Sequence, residues 1–301
     1  MILWTRISQE IAADMGDTAF VLSGGGSHGA VQVGMILALA EQGILPDLIV
    51  GTSVGAVNAA WIAGWPGREG AQKLADVWKT VRRTDIFPFH PLTGFLGFAG
   101  RSNYLVDPSN FRSLLQRHLN YSHLEDASVP VRVVATEFTT GQEVVIGSGE
   151  AIEAVAASAA IPGVFPPVVI GGKRLVDGGI ANNTPISHAA NAGATTIYVL
   201  PTGYACSLRS LPKGALAMAL QAISLLTHQR LVSDIFRYQD SVDLRILPGL
   251  CPLNVSPLDF SHTANLIEQA YLGTSQWLAS TDSEPGFVVE DLMLHGHAGH
   301  N

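Results

Sequence analysis

The sequence predicts an α/β protein in which a mostly parallel sheet is covered by helices on both faces. Three observations carry that expectation. Short runs of β-branched and apolar residues alternate with helical runs along the whole chain, which is the order that βαβ units produce. The early runs, 18–23 and 48–50, are apolar almost without interruption, as strands buried on both faces are. The chain has 301 residues, 47% apolar and only 14% charged. That composition excludes a disordered chain and supplies one core without staples. With no internal repeat or linker, residues 1–301 read as a single domain.

Each element follows from local pattern. The strand at 18–23 is stopped by the glycine loop 24–29. Residues 30–42 are apolar nearly all round and predict a buried helix ended by Gly43. The strand at 48–50 runs into the turn 51–55 and an apolar helix to about Ala63; an amphipathic helix covers 69–80. From Thr84 to Tyr104 no clean period shows, and Phe87, Phe89, Phe95 and Phe98 mix with prolines and glycines. That stretch reads as a lid, an apolar patch docking peripherally on a membrane, or a packed loop. The helix at 108–119 places Phe111, Leu114, Leu115 and Leu119 on one face. A strand at 131–138 pairs with 143–146 across Thr140-Gly141, and 151–157 is a small-residue helix. Residues 168–176 form a hairpin turning at Gly171-Gly172, 186–192 a helix and 195–200 a strand. The rest is a long helix or helix pair at 215–236, a late strand at 242–247, a last helix at 264–278 and a tail from 281. The tail, with His295, His297 and His300, is read as frayed rather than as a metal site.

Charge and cysteine content exclude several function classes. Seventeen Lys and Arg against 25 Asp and Glu give a net charge of −8, so a broad basic face and a nucleic-acid partner are not expected. Anionic lipid would not be attracted either, and any membrane contact has to be apolar. Cys206 and Cys251 form neither a disulfide framework nor a metal-ligand spacing, and they read as two unpaired thiols in a reducing compartment. Mean hydropathy is +0.27, but no run of about 18 apolar residues occurs. The first residues lack a secretory pattern. The expectation is a cytoplasmic protein, at most peripheral to a membrane.

Three motifs carry chemistry. Gly24-Gly25-Gly26-Ser27-His28-Gly29 lies between a strand and a helix and formally matches the dinucleotide fingerprint. That fingerprint also needs an acidic residue at the end of the next strand. Here Asp47 precedes the strand, and Gly51-Thr52-Ser53 ends it. A phosphate-binding P-loop would need Gly-Lys-Ser/Thr, which is absent. The same backbone can hold an oxyanion, because glycines leave N–H groups unobstructed at a helix N-terminus. A plain packing turn remains open on the loop alone. Gly51-Thr52-Ser53-Val54-Gly55 occupies a strand-to-helix turn, the setting of a nucleophile elbow. An α/β-hydrolase would build more strands before its elbow and supply a histidine; His188, His228 and His262 read as surface or packed residues instead. Asp177-Gly178-Gly179 ends a strand. It is either an ordinary turn or a carboxylate brought close to a serine by two glycines.

In this order the motifs resemble the patatin-like phospholipases, particularly their small bacterial members. The resemblance runs from Phe20 to Pro201 and rests on four blocks: 24–29, 51–60, 157–167 (ASAAIPGVFPP) and Asp177-Gly178-Gly179 followed by Asn182-Asn183-Thr184-Pro185. It implies a three-layer α/β/α sandwich. It implies Ser53 as nucleophile and Asp177 as the only base of a Ser–Asp dyad. Gly24, Gly25 and Gly26 would be the oxyanion loop, with no metal and no cofactor. The function implied is a lipid acyl hydrolase of phospholipase A or lysophospholipase type, acting through an acyl-enzyme on a lipid or other acyl ester. An acyltransferase using the same intermediate, or a non-catalytic binding protein on the same scaffold, is the alternative. The sequence assigns no oligomeric state. One position departs from the family pattern: His28 stands where an arginine is common, and it reads as a loop or substrate contact or as a packed side chain.

Overall fold

The structure is a computed structural model that describes residues 17–88, 104–203, 215–251, 253 and 255–280. Its strands are β1 Thr18–Leu22, β2 Leu48–Thr52, β3 Val131–Glu137, β4 Glu143–Ile146, β5 Val168–Ile170, β6 Lys173–Asp177, β7 Thr196–Leu200 and β8 Asp243–Ile246. Its helices are α1 Gly29–Glu41, α2 Val54–Gly64, α3 Gly67–Thr80, α4 Arg83–Ile86, α5 Ser109–His118, α6 Ala151–Ser158, α7 Ile186–Asn191, α8 Ala215–Tyr238 and α9 Thr263–Ser280.

All eight strands join one sheet. β3, β2, β1, β7 and β8 run parallel in that spatial order. β4 and β6 pair antiparallel with β3, and β5 pairs antiparallel with β6. The protein is therefore the expected α/β fold around a mostly parallel sheet flanked by helices. The two-residue period of a strand decides which side chain meets which layer. Phe20, Leu22, Ile49, Tyr198 and Leu200 enter the core beneath α1, α2, α3, α6 and α9. Ala19, Val21, Leu48, Val50, Ile197 and Val199 enter the opposite core with Ile186 of α7 and Leu231 and Ile235 of α8. Both faces are thus apolar at every position, which is why these strands read as unbroken hydrophobic runs.

The register on β3 positions the site. Val133 and Val134 pair with both β2 and β4, while Ala135 and Thr136 pair with both β4 and β6. A strand has two edges, so β2 and β6 share the edge opposite β4. They approach along it from opposite directions. β2 ends with Thr52 beside Val134, and β6 ends with Asp177 beside Ala135.

Of the long helix or helix pair expected at 215–236, the structure has one helix, continuing to Tyr238, since no glycine or proline interrupts it. Two differences from the sequence reading have physical causes. Part of the irregular aromatic stretch is a short helix, α4, and Phe87 after it stacks on Phe165 with ring centroids 5.6 Å apart. The remainder of that stretch, 89–103, lies outside the described residues, as does the tail 281–301. The expectation of unpaired thiols is corrected, because Cys251 is disulfide-bonded and no described cysteine is free. A disulfide requires tertiary proximity, which composition does not contain. Cys206 lies outside the described residues.

Candidate active site

Ser53 sits between the end of β2 and the start of α2 with φ 55° and ψ −123°. It is the one non-glycine residue with positive φ among the described residues. Such a backbone costs about 1–3 kcal/mol and persists only where its surroundings enforce it. The enforcement is visible on both sides. At Gly55 a Cβ would collide with the carbonyl oxygens of Leu22 and Ser23, so a glycine is needed for the elbow to lie on the end of β1. The Ser53 N–H donates to Ser158 Oγ at 2.9 Å, and that hydroxyl donates to the Val134 carbonyl at 2.6 Å. Ser158, fully buried at the end of α6, thereby ties the elbow to β3. Replacing it with Ala removes both bonds and leaves a buried N–H and a carbonyl unpaired. We expect Ser158→Ala to lose about 1–3 kcal/mol of stability, seen as a lower Tm, and about tenfold in kcat as Ser53 loses its fixed position.

Across the gap on the β3 edge, Ser53 Oγ donates to Asp177 Oδ2 at 2.6 Å. The other carboxylate oxygen accepts the Gly179 N–H at 2.8 Å. Asp177 is held by its backbone as well: its N–H donates to the Ala160 carbonyl at 2.9 Å, and its carbonyl accepts from Thr136 Oγ1 at 2.9 Å. Burial pushes its carboxyl pKa up from 3.8 to about 6; the bonds from Ser53 and Gly179 pull the other way. A carboxylate with that pKa is ionised at neutral pH and a better proton acceptor than an ordinary aspartate.

The glycine loop follows β1, which pairs with β2 in the register Leu22 to Gly51. Loops leaving adjacent parallel strands at the same level emerge side by side. A Cβ on Gly24 would lie 3.0 Å from Ser53 Cβ. The N–H of Gly24 is spent, donating to the Asn183 carbonyl at 3.1 Å. Its carbonyl accepts from Thr202 Oγ1 at 2.7 Å and from Asn183 Nδ2 at 3.4 Å. Gly24 thus anchors the loop and has no N–H to offer an oxyanion. The N–H groups of Gly25 and Gly26 meet no acceptor among the described residues. Gly26 has φ 60° and packs against the Pro257 carbonyl, a conformation and an approach that a side chain would prevent.

The His28 ring is engaged by the segment 255–257. Its Nε2 lies 2.7 Å from the Val255 carbonyl and so carries the proton. Burial lowers its pKa, keeping the ring neutral at physiological pH. The Ser27 N–H and Oγ donate to the carbonyls of Pro257 and Ser256 at 2.8 and 3.1 Å. Three hydrogen bonds therefore brace the glycine loop against 255–257. His188 pairs with Glu143 at 2.6 Å and His262 with Asp259 at 3.6 Å; His228 is buried on α8. Beneath the loop a buried polar chain runs from Trp78 through Asn58 and Gln32 to the Ser23 carbonyl, each link 2.8–2.9 Å long. Ser158, Asn183, Thr202, Gln32 and Asn58 were not assigned from sequence. Their one signal is polarity inside otherwise apolar helices and at strand ends. A shallow groove at the opposite edge of the sheet, lined by Asn191, Thr195, Tyr238 and Asp243, is remote from the dyad.

Comparison with known proteins places the chain by similarity. A family model described as patatin-like phospholipase matches residues 20–190, more than half of the chain. Patatin-like phospholipase domain-containing protein 7 of Mus musculus is 30% identical over 191 residues, which are 62% of this chain and 13% of that protein. Lysophospholipase NTE1 of Mycosarcoma maydis is 30% identical over 187 residues, 61% of this chain and 9% of that protein. The chain thus spans a small part of the length of these relatives. Among solved structures, VipD from Legionella pneumophila aligns with a TM-score of 0.46 at 16% identity, covering 89% of this chain and 67% of that one.

Proposed function

The chain belongs to the patatin-like phospholipase family, and on that premise we propose that it is a serine acyl-ester hydrolase acting on lipid esters, of phospholipase A or lysophospholipase type. The observation that carries the proposal is the 2.6 Å bond from Ser53 Oγ to Asp177 Oδ2 on a strained elbow. Asp177 takes the hydroxyl proton as Ser53 Oγ attacks the ester carbonyl carbon. The oxygen that becomes negative lies against the Gly25 and Gly26 N–H groups, where one such donor is worth about 10²–10³ in rate. Collapse breaks the ester bond, and the leaving alcohol or lysolipid takes the proton from Asp177. Water then gives a proton to Asp177 and attacks the acyl-enzyme, and Ser53 leaves with that proton. No histidine is required by this sequence of transfers. An alcohol in place of water would turn the same intermediate to acyl transfer.

A fluorophosphonate probe tests the reading, because it reacts only with an activated serine. Peptide mapping is expected to find the label on Ser53, absent in Ser53→Ala and strongly slowed in Asp177→Asn. A folded protein that stays unlabelled in detergent or with liposomes would overturn the hydrolase reading in favour of a binding role.

A further inference from the structure

The helix α8 is much longer than the sheet it covers. Twenty-four residues rise about 36 Å, against about 17 Å for the five residues of β7. Among its described side chains, the buried ones lie in its second half. His228, Leu231, Asp234 and Ile235 are buried, at the spacing of one helical face. Arg230 Nη1 donates to the Ala181 carbonyl at 3.2 Å, just past the Asp177 turn. α8 runs from the C-terminal end of β7 back to the start of β8. The residues before Arg230 therefore extend beyond the sheet edge that carries Ser53, Asp177 and the glycine loop.

The side chains described on this overhang up to Leu226 are exposed. Residues 222–226 are all exposed. Met218 is 45%, Ile223 54% and Leu226 72% exposed, and Ile180 on the neighbouring turn is 58%. With Leu225, 38% exposed, the exposed apolar side chains of the helix form one broad face. From Ala215 to Thr227 there is no charged residue, in a chain whose net charge is −8.

We propose that the N-terminal half of α8, with Met218, Ile223, Leu225 and Leu226, inserts into the surface of a zwitterionic lipid layer and holds the catalytic edge against it. The inference rests on the lipid-ester reading above. An uncharged helix that exposes four large apolar side chains, at the edge where a lipid ester has to enter, is matched by hydrocarbon at an interface. The lack of cationic residues on the overhang, together with the acidic chain, selects neutral over anionic lipid. The overhang stands on the same edge as the dyad, where a lipid has to enter. No described helix is long and apolar enough to cross a membrane, so the contact is interfacial.

The test uses the full chain in a Ser53→Ala background, so that binding is read without turnover. Native overhang and Ile223→Asp/Leu226→Asp are sedimented with phosphatidylcholine vesicles; Leu226→Ser serves as a milder variant. The double variant is expected to bind at least about tenfold more weakly, with an unchanged Tm. With Ser53 restored, it should hydrolyse a short soluble ester at the native rate and vesicle lipid far more slowly. Equal vesicle binding by all three proteins, or no binding by the native overhang, would overturn the proposal. So would a native dimer that the substitutions convert to monomer, since the overhang would then be a contact between copies. Because vesicle binding is independent of Ser53, it separates this proposal from the hydrolase reading that fluorophosphonate labelling tests.

Discussion

Asp177→Asn will remove most turnover and make the protein more stable at neutral pH. The activity loss follows from the amide having no basic oxygen for the Ser53 proton; general-base assistance is worth about 10²–10⁴ in rate. The stability gain follows from the same burial that tunes the base. The Asp177 carboxyl has a pKa of about 6 in the folded protein, against about 3.9 when unfolded. Between those values the folded state holds the proton more tightly, so stability falls as pH rises from about 4 to about 6 and stays low above. The burial penalty on the charge is at most about 3 kcal/mol. Asn carries no charge and can still accept the Gly179 N–H. Its Tm at pH 7.5 should therefore exceed that of the native protein by a few degrees, while below pH 4 the difference disappears. On the proposed hydrolase reading, in which Asp177 is the base, kcat/KM should rise with pH through an apparent pKa near 6 as its carboxyl ionises. A variant less stable than native at pH 7.5 would show that the carboxylate stabilises the fold.

Ser53→Ala will lower kcat by about 10⁴–10⁶, the scale on which loss of a nucleophile is felt, and leave the fold intact. Alanine keeps the Cβ, bears the same positive φ, and leaves the Ser53 N–H contact with Ser158 in place. The hydroxyl bond to Asp177 disappears, and that bond holds the carboxyl pKa down. The pKa of Asp177 will rise beyond its native value, and the pH range over which stability declines will extend upward. Thermal melts across pH 4–8 measure this directly. Retained turnover in Ser53→Ala would exclude the dyad, whatever the melts show.

Much of this was legible in the sequence because it depends on local chemistry. The unbroken apolar runs of β1 and β2 reflect burial on both faces, and the glycine turns at 24–26, 51–55 and 178–179 mark where the backbone has to bend sharply. The Ser53 and Asp177 assignments needed the family resemblance, since nothing in spacing places residues 53 and 177 together. Register on β3 does that, and register is a property of pairing between distant segments. For the same reason Gly24 could not be told from Gly25 and Gly26 by sequence. The Asn183 carbonyl that occupies its N–H comes from a loop after β6. Ser158 was visible only as part of a small-residue block, because its partners lie on two other elements. The exposure of the first half of α8 was also hidden: an uncharged, largely apolar half-helix reads as buried until the height of the sheet beneath it is known.

The shared edge of β3 works as a ruler for the dyad. The distance between Ser53 and Asp177 is set by where two strands stop along a third, at Val134 and at Ala135. One residue inserted within Leu48–Thr52 or Lys173–Asp177 would slide one stop by about 3.3 Å and reverse which face its side chains occupy. One residue inserted at the Gly171-Gly172 turn changes neither stop. Length variation in this chain is therefore cheap in its turns and intolerable in ten particular strand positions.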